Sequence, residues 1–322
     1  MVDPCGEVRR SCALVSSLSK SVIVDEAALR KDVEENSDEW QRWLHQLAPE
    51  TLNWAQDYHF VDPENETDTA QYVLVLDALN FCFWPLEGYE YEHLASSLTA
   101  VFRADRSAFA AENLAKVTEQ QVRQWLTTGT PFEPSQVPLA SERARLLREV
   151  GSVLSAHFNG LAKNLIERAD GCAVRLVDLV TSFFPAFRDH AIYQGHQVFF
   201  YKRAQIFVGD VWGAFGGQGL GALRNIERLT CFPDYRIPQL LLHTGGMVLR
   251  SEELRQAIAQ QQELPHGGTF ECELRAATIH AVELLAKLLG VTPVQIDWAL
   301  WERGEAQRTS LPPHHRVLSI FY

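Results

Sequence analysis

The sequence predicts a mainly α protein with at most a small β-hairpin. Two observations carry this. Apolar residues recur at three- and four-residue spacings through most long segments, and helix start and stop signals frame several of them. Only one short stretch, His196 to Tyr201, is β-prone, and it follows Gly195 as a strand after a turn would. At 322 residues, 46% hydrophobic and 22% charged, the chain can bury a sizeable core, so disorder is excluded for most of it. One domain over 1–322 is expected. Possible subdomains 1–130 and 140–322 would meet at Thr127 to Pro138, a connector holding Gly129, Pro131, Pro134 and Pro138.

Taken in order, residues 1–20 read as a loose N-terminal arm. Asp25 to Leu47 is helical, with Trp40, Trp43, Leu44 and Leu47 on one stripe. Asn53 to Thr69 is polar and reads as a loop. Gln71 to Trp84 is strongly apolar and stops at Pro85; Val73, Leu76, Asn80 and Phe83 favour a helix, with Asn80 a buried helix–helix hydrogen bonder. Thr118 with Gln121 forms a capping box ahead of Val122, Trp125 and Leu126. Leu146, Leu147, Val150, Val153, Leu154, His157 and Phe158 make one helical stripe. Tyr201, Ala204, Phe207, Val208, Val211, Trp212 and Phe215 make another. Leu274 to Leu289 is a helix closed by Gly290. Thr292 caps the last helix, with Pro293 at its first position.

Composition also limits function. The net charge of −12 and pI near 5.4 argue against a long polyanion, because duplex DNA or intact tRNA asks for several phosphate-neutralising Lys and Arg side chains. The cysteines Cys5, Cys12, Cys82, Cys172, Cys231 and Cys272 are scattered without a C-x-x-C pair, so free thiols and a cytoplasmic location are expected. No signal peptide or membrane span is expected. There is no phosphate-loop, H-E-x-x-H or G-x-S-x-G motif. Gly216, Gly217, Gly219 and Gly221 follow a helix, not a strand, and read as a tight connection rather than a dinucleotide turn. His314 and His315, adjacent beside Pro313, are not read as a metal site.

Four segments hold the informative residues: Trp43-Leu44-His45; Leu76 to Pro85; Tyr201 to Gln205 together with Phe232 to Gln239; and Asp297 to Trp301. The strings LNFCFWP, FYKRAQI, DYRIPQ and HHRVLSIFY are the most specific, and in them the sequence resembles the queuosine salvage proteins, which are queuosine 5′-phosphate N-glycosylases. The resemblance covers most of the chain. It implies a helical fold akin to the helix-hairpin-helix DNA glycosylases. It also implies hydrolysis of queuosine 5′-monophosphate to queuine and ribose 5-phosphate with no cofactor and no metal. The partner expected is that small-molecule nucleotide, with no intact nucleic acid, no membrane and no obligate protein partner.

The residues suit that chemistry. Breaking a nucleoside C–N bond develops oxocarbenium character on the ribose, which a carboxylate beside the anomeric carbon stabilises. Asp234 follows Pro233 and precedes Pro238 in a restricted turn; read alone it is more readily a helix N-cap, and the resemblance reverses that in favour of the catalytic role. Lys202 and Arg203 open a helix, where anions are favoured; the resemblance favours Lys202 as the phosphate contact. Arg236 is a second phosphate candidate or a loop brace. Queuine is a 7-deazaguanine with donor-rich edges, so carboxylates and aromatic faces suit it. Asp297 and Trp301 share a helix face, Trp298 adjoins them, and Phe232 either stacks on the base or fills the core. The resemblance places His45 at the base pocket. His59, Asp77 and Asn80 are lesser candidates. A DNA-repair glycosylase and a non-catalytic deazaguanine nucleotide-binding protein are the alternatives.

Overall fold

The computed structural model describes residues 3–48, 51–54 and 58–322. Among them the α-helices are α1 (Pro4–Leu18), α2 (Glu26–Glu35), α3 (Ser37–Gln46), α4 (Glu66–Ala78), α5 (Tyr91–Ala104), α6 (Ala111–Leu114), α7 (Glu119–Thr127), α8 (Ala140–His157), α9 (Ala162–Arg168), α10 (Ala173–Phe183), α11 (Lys202–Ala214), α12 (Arg236–His243), α13 (Glu252–Ala259), α14 (Thr269–Leu289) and α15 (Pro293–Ala306). Four short strands complete them: β1 (Val22–Val24), β2 (His190–Tyr193), β3 (His196–Phe199) and β4 (Met247–Leu249). The chain is mainly α, as expected. The β-prone stretch is the second arm of the β2–β3 hairpin, paired from His190↔Phe199 to Tyr193↔His196. A second two-stranded sheet was not foreseen: β1 pairs antiparallel with the distant β4. No single helix among the described residues is long and apolar enough to cross a membrane.

Two helices are buried on nearly every face. In α4 every residue from Thr69 to Ala78 is buried, which is why its sequence shows no clear helical stripe. It packs against α11, itself buried from Lys202 to Ala204 and on to Gly213 with little interruption. The long α14 packs against α1, α2 and α15.

Three expectations are corrected. Within the expected arm 1–20 the described residues are not loose: Asp3 caps α1, whose Cys5, Val8, Cys12 and Val15 are buried, and α1 lies along α14. Those residues repeat at four- and three-residue spacings, a pattern the surrounding Ser, Arg and Lys obscure. The stretch Asp25 to Leu47 is two helices, broken at Asn36, which ends α2 and starts α3. The stretch Gln71 to Trp84 is helical only to Ala78. Asn80 therefore lies beyond the helix, in a segment where Cys82 takes a left-handed φ of 50°.

That irregular segment is held from its backbone. The buried Arg143 guanidinium donates to the carbonyls of Leu79 (2.7 Å), Phe81 (2.6 Å) and Cys82 (3.2 Å). Cys82 N donates to Tyr322 O at 3.0 Å, and Trp84 Nε1 to Val317 O at 3.2 Å. Two segments far apart in sequence thus make one floor for the site.

Candidate active site

A cavity of about 620 Å³ opens between this floor, α11, the turn before α12, and α15. That size suits a small ligand such as a nucleotide. His45, Lys202, Phe232, Asp234, Arg236, Asp297, Trp298 and Trp301 all border it. The structure therefore gathers every candidate site residue at one cavity, together with His59 and Asn80. Asp77 lies behind the wall, fully buried.

Asp234 is both a cap and a cavity residue. Its Oδ1 accepts from Arg236 N (2.8 Å) and Ile237 N (3.1 Å) at the start of α12. The capping reading is therefore correct for one oxygen. Oδ2 makes no hydrogen bond to protein among the described residues and is available to a ligand.

Lys202 is not a solvated cation. It is 4% exposed, and its Nζ donates to Asn80 O (3.0 Å) and more weakly to Asn80 Oδ1 (3.4 Å). An ammonium has three donors, so one remains. Burial pulls its pKa down, while Asp234 and Asp77 act to keep it charged. The N-terminus of α11 is itself taken: Lys202 N donates to Asp189 Oδ2 at 3.1 Å, and Asp189 is clamped by Arg275 at 2.9 and 2.6 Å. Arg203 points away into the core, donating to Ala78 O (2.7 Å) and Ala186 O (2.5 Å).

Arg236 is braced by acids. Its Nε donates to Glu305 Oε1 at 2.6 Å, Nη1 to Gln239 Oε1 at 2.7 Å, and Nη2 lies 3.6 Å from Glu90 Oε2. It still borders the cavity; it and Lys202 are the Lys and Arg side chains that do so among the described residues.

Aromatic side chains form the opposite wall. Trp298 stacks on Trp212 with centroids 5.7 Å apart, and Trp301 meets Tyr91 edge-on at 5.7 Å. Phe232 is 2% exposed, and its backbone N donates to Asp297 Oδ1 at 2.6 Å. Burial raises the Asp297 carboxyl well above its usual range, against the pull of that hydrogen bond. His45 is exposed at the cavity mouth, with its carbonyl accepting from Thr51 Oγ1.

The structure gives surroundings to His59 and Asp77, lesser candidates from the sequence, and adds Glu302, Glu305 and Asp210, which the sequence reading missed. His59 stacks on Trp54 (3.9 Å) and contacts Tyr91 Oη at 2.8 Å; burial lowers its pKa to about 4, so it is neutral at pH 7. Glu302 and Glu305 border the cavity, and burial raises both carboxyls. Asp210, on α11, also lines it, with Asp77 of α4 behind. A signal for Asp210 existed, the same that Asp77 carries: each is a lone acid in an otherwise apolar run, FVGDVWG and VLDAL. A buried, unpaired charge is costly, so such an acid calls for a reason.

Comparisons with known proteins agree on one family. The family model described as queuosine salvage protein matches residues 59–322. A protein of Dictyostelium discoideum is 44% identical over 334 aligned residues, covering all of both chains. One from Sphaerobacter thermophilus is 41% identical over 86% of this chain and 87% of its own. One from Mus musculus is 30% identical, covering 98% of each. All three carry the name queuosine 5′-phosphate N-glycosylase/hydrolase.

Proposed function

The chain belongs to the queuosine salvage protein family, and on that premise we propose that it hydrolyses the N-glycosidic bond of queuosine 5′-monophosphate, releasing queuine and ribose 5-phosphate. The observation that carries the mechanism is the fixed carboxylate of Asp234 at the edge of an aromatic-walled cavity. Two backbone N–H groups hold Oδ1, so Oδ2 is presented with little freedom. As the C–N bond lengthens, positive charge grows on the ribose, and a preorganised carboxylate stabilises it without reorganising. The same oxygen orients water and takes its proton as the hydroxyl adds to the anomeric carbon.

The other roles follow from the lining. A 5′-phosphate can pair with Lys202, through its remaining N–H, or with Arg236. The base then lies against Phe232, Trp298 and Trp301, with Asp297 accepting from its N–H groups and His45 at the mouth. Glu302 and Glu305 suit the amine that links queuine to its side ring. With net charge −12, the substrate is the mononucleotide rather than intact tRNA. This charge also disfavours the DNA-repair reading.

The test is chromatography of queuosine 5′-monophosphate incubated with the wild type and with Asp234→Asn. Queuine should appear with the wild type and fall by on the order of 10²–10³-fold in the variant. Binding without release by a folded wild type would instead make the chain a nucleotide-binding protein.

A further inference from the structure

Asp77 and Asp210 face each other across the α4–α11 contact. Asp77 is 0% exposed, and neither of its side-chain oxygens has a hydrogen-bond donor among the described residues. Asp210 is 4% exposed and borders the cavity. Two buried carboxyls side by side do not both ionise readily; a shared proton gives Asp77 the hydrogen bond it otherwise lacks, while Asp210 also accepts from Trp54. The groups facing them are Lys202 and Arg203 from α11, Tyr72 from α4, Asn80 just beyond it, Tyr91 from α5, Asp297 from α15, and the Trp54 indole. Two of these are cations, and Arg203 is committed to the carbonyls of Ala78 and Ala186. Burial dominates, lifting Asp77 well above the usual carboxyl range and Asp210 to about 7.

Asp210 is on the aromatic side of the cavity. A Cβ added at the preceding Gly209 would come 2.9 Å from the Phe232 ring, and one at Gly213 would meet Trp54 at 3.0 Å and Trp298 at 3.2 Å. Along α11, Asp210 is about 12 Å from Lys202, eight residues away. The two side chains thus serve opposite ends of a bound nucleotide.

We propose that Asp210, sharing one proton with Asp77, is the general acid that protonates the leaving base. This rests on the glycosylase reading above. Loss of a base from ribose leaves an electron pair on the base, which needs a proton. A purine can take it at N7; a 7-deazaguanine has carbon there, leaving the ring nitrogen N3 and the exocyclic O6 as acceptors. In the step, the C1′–N9 bond breaks and its electrons move into the base. Asp210 passes its proton to N3 or O6, and the base relaxes to the N9–H form. Water adds its hydroxyl to C1′ and its proton to Asp234. Asp234 releases that proton to solvent, and the Asp77–Asp210 pair regains one. Asp297 accepts from Phe232 N with Oδ1 and has no second carboxyl paired with it as Asp77 is with Asp210; its other oxygen is assigned above to the N–H groups of the base.

The test compares two substrates: queuosine 5′-monophosphate and 4-nitrophenyl β-ribofuranoside 5-phosphate, whose leaving group needs no proton. Asp210→Asn should lose about 10²–10⁴-fold in kcat on the nucleotide, with KM changed little, and stay within a few-fold of wild type on the nitrophenyl substrate. Asp234→Asn should lose both. Wild-type turnover of the nucleotide by Asp210→Asn, or equal loss on both substrates, overturns the proposal. A wild type that hydrolyses neither substrate overturns the glycosylase reading instead. Should Asp210→Asn not fold, the pH profile of Asp77→Asn decides. An amide beside Asp210 favours its carboxylate, so the alkaline fall in kcat must move to lower pH; an unmoved limb overturns the assignment.

Discussion

At the scale of single residues, the site is a set of buried charges whose states depend on one another. Lys202 sits where burial opposes its charge and Asp234 and Asp77 support it. Its contacts to Asn80 use two of three N–H donors. If the third serves the phosphate, Lys202→Met should raise KM for queuosine 5′-monophosphate at least tenfold, a loss of about 1.4 kcal/mol. Turnover of dephosphorylated queuosine, expected to be the slower of the two, should be unchanged. Equal damage to both substrates would place Lys202 at the sugar instead. Asp77 gives a stability prediction with a definite sign. Its folded-state carboxyl is raised above the ordinary value of 3.8, so between those two values the native state holds a proton that the unfolded chain releases. The stability this proton confers is fully present below pH 3.8 and is lost as pH rises through the folded value. Asp77→Asn removes that dependence. Its Tm should exceed that of the wild type at pH 8 by about 2–4 °C, the equivalent of ~1 kcal/mol, with the gap closing toward pH 4. Parallel melting curves across that range would show that the pair does not govern stability.

Among the elements, α11 has the most demanding design. It supplies Lys202 and Asp210 to the cavity, yet it also carries Gly209 and Gly213, residues that weaken a helix by roughly 1 kcal/mol each relative to Ala. Their reason is spatial: the aromatic wall rests directly on the bare backbone at both positions. Gly209→Ala should therefore forgo the usual gain in helix stability, because the new methyl group pushes Phe232 toward the base. The expected result is a KM for the nucleotide raised by about tenfold with Tm within a few degrees of wild type, read from steady-state kinetics and calorimetry. A more stable, fully active variant would mean the ring moves aside freely. The elements also show where sequence patterns succeed. The capping box at Thr118, the cap at Thr292 and the Gly290 stop are local hydrogen-bond and φ requirements, and each holds. Patterns fail where a helix is surrounded. With no polar face, α4 offers no stripe, and the end of its helix at Ala78 depends on Arg143 drawing off the next carbonyls from another part of the chain.

For the molecule as a whole, the candidates that line the cavity were legible in the sequence while their arrangement was not. Asp234, Asp297 and Trp301 stood out by type, turn and spacing, and the string matches pointed to one family. Their convergence depends on contacts between segments far apart in sequence, such as Phe232 N to Asp297 Oδ1, which no local pattern encodes. The same holds for the floor of the cavity. The strings LNFCFWP and HHRVLSIFY read as separate motifs, but they are one structural unit: Cys82 N bonds to Tyr322 O, and Trp84 bonds to the Val317 carbonyl. Tyr322 is 2% exposed, borders the cavity, and lies 4.3 Å from the Arg275 guanidinium, which in turn clamps Asp189 at the start of α11. Its ring thus connects the floor that carries Asn80 to the helix that carries Lys202. Tyr322→Ala should cost about 3–5 kcal/mol of stability, the range for deleting a buried aromatic ring. Because the Asn80–Lys202 contact spans that junction, kcat/KM should fall as well, even well below the variant's melting temperature. Leu318, 42% exposed on the same tail, provides the contrast: its replacement by Ala should stay within about 0.5 kcal/mol and leave turnover intact. Urea unfolding and queuine release measured on both variants separate the outcomes. A Tyr322→Ala protein that is destabilised yet fully active would mean that the tail closes the core without positioning the site.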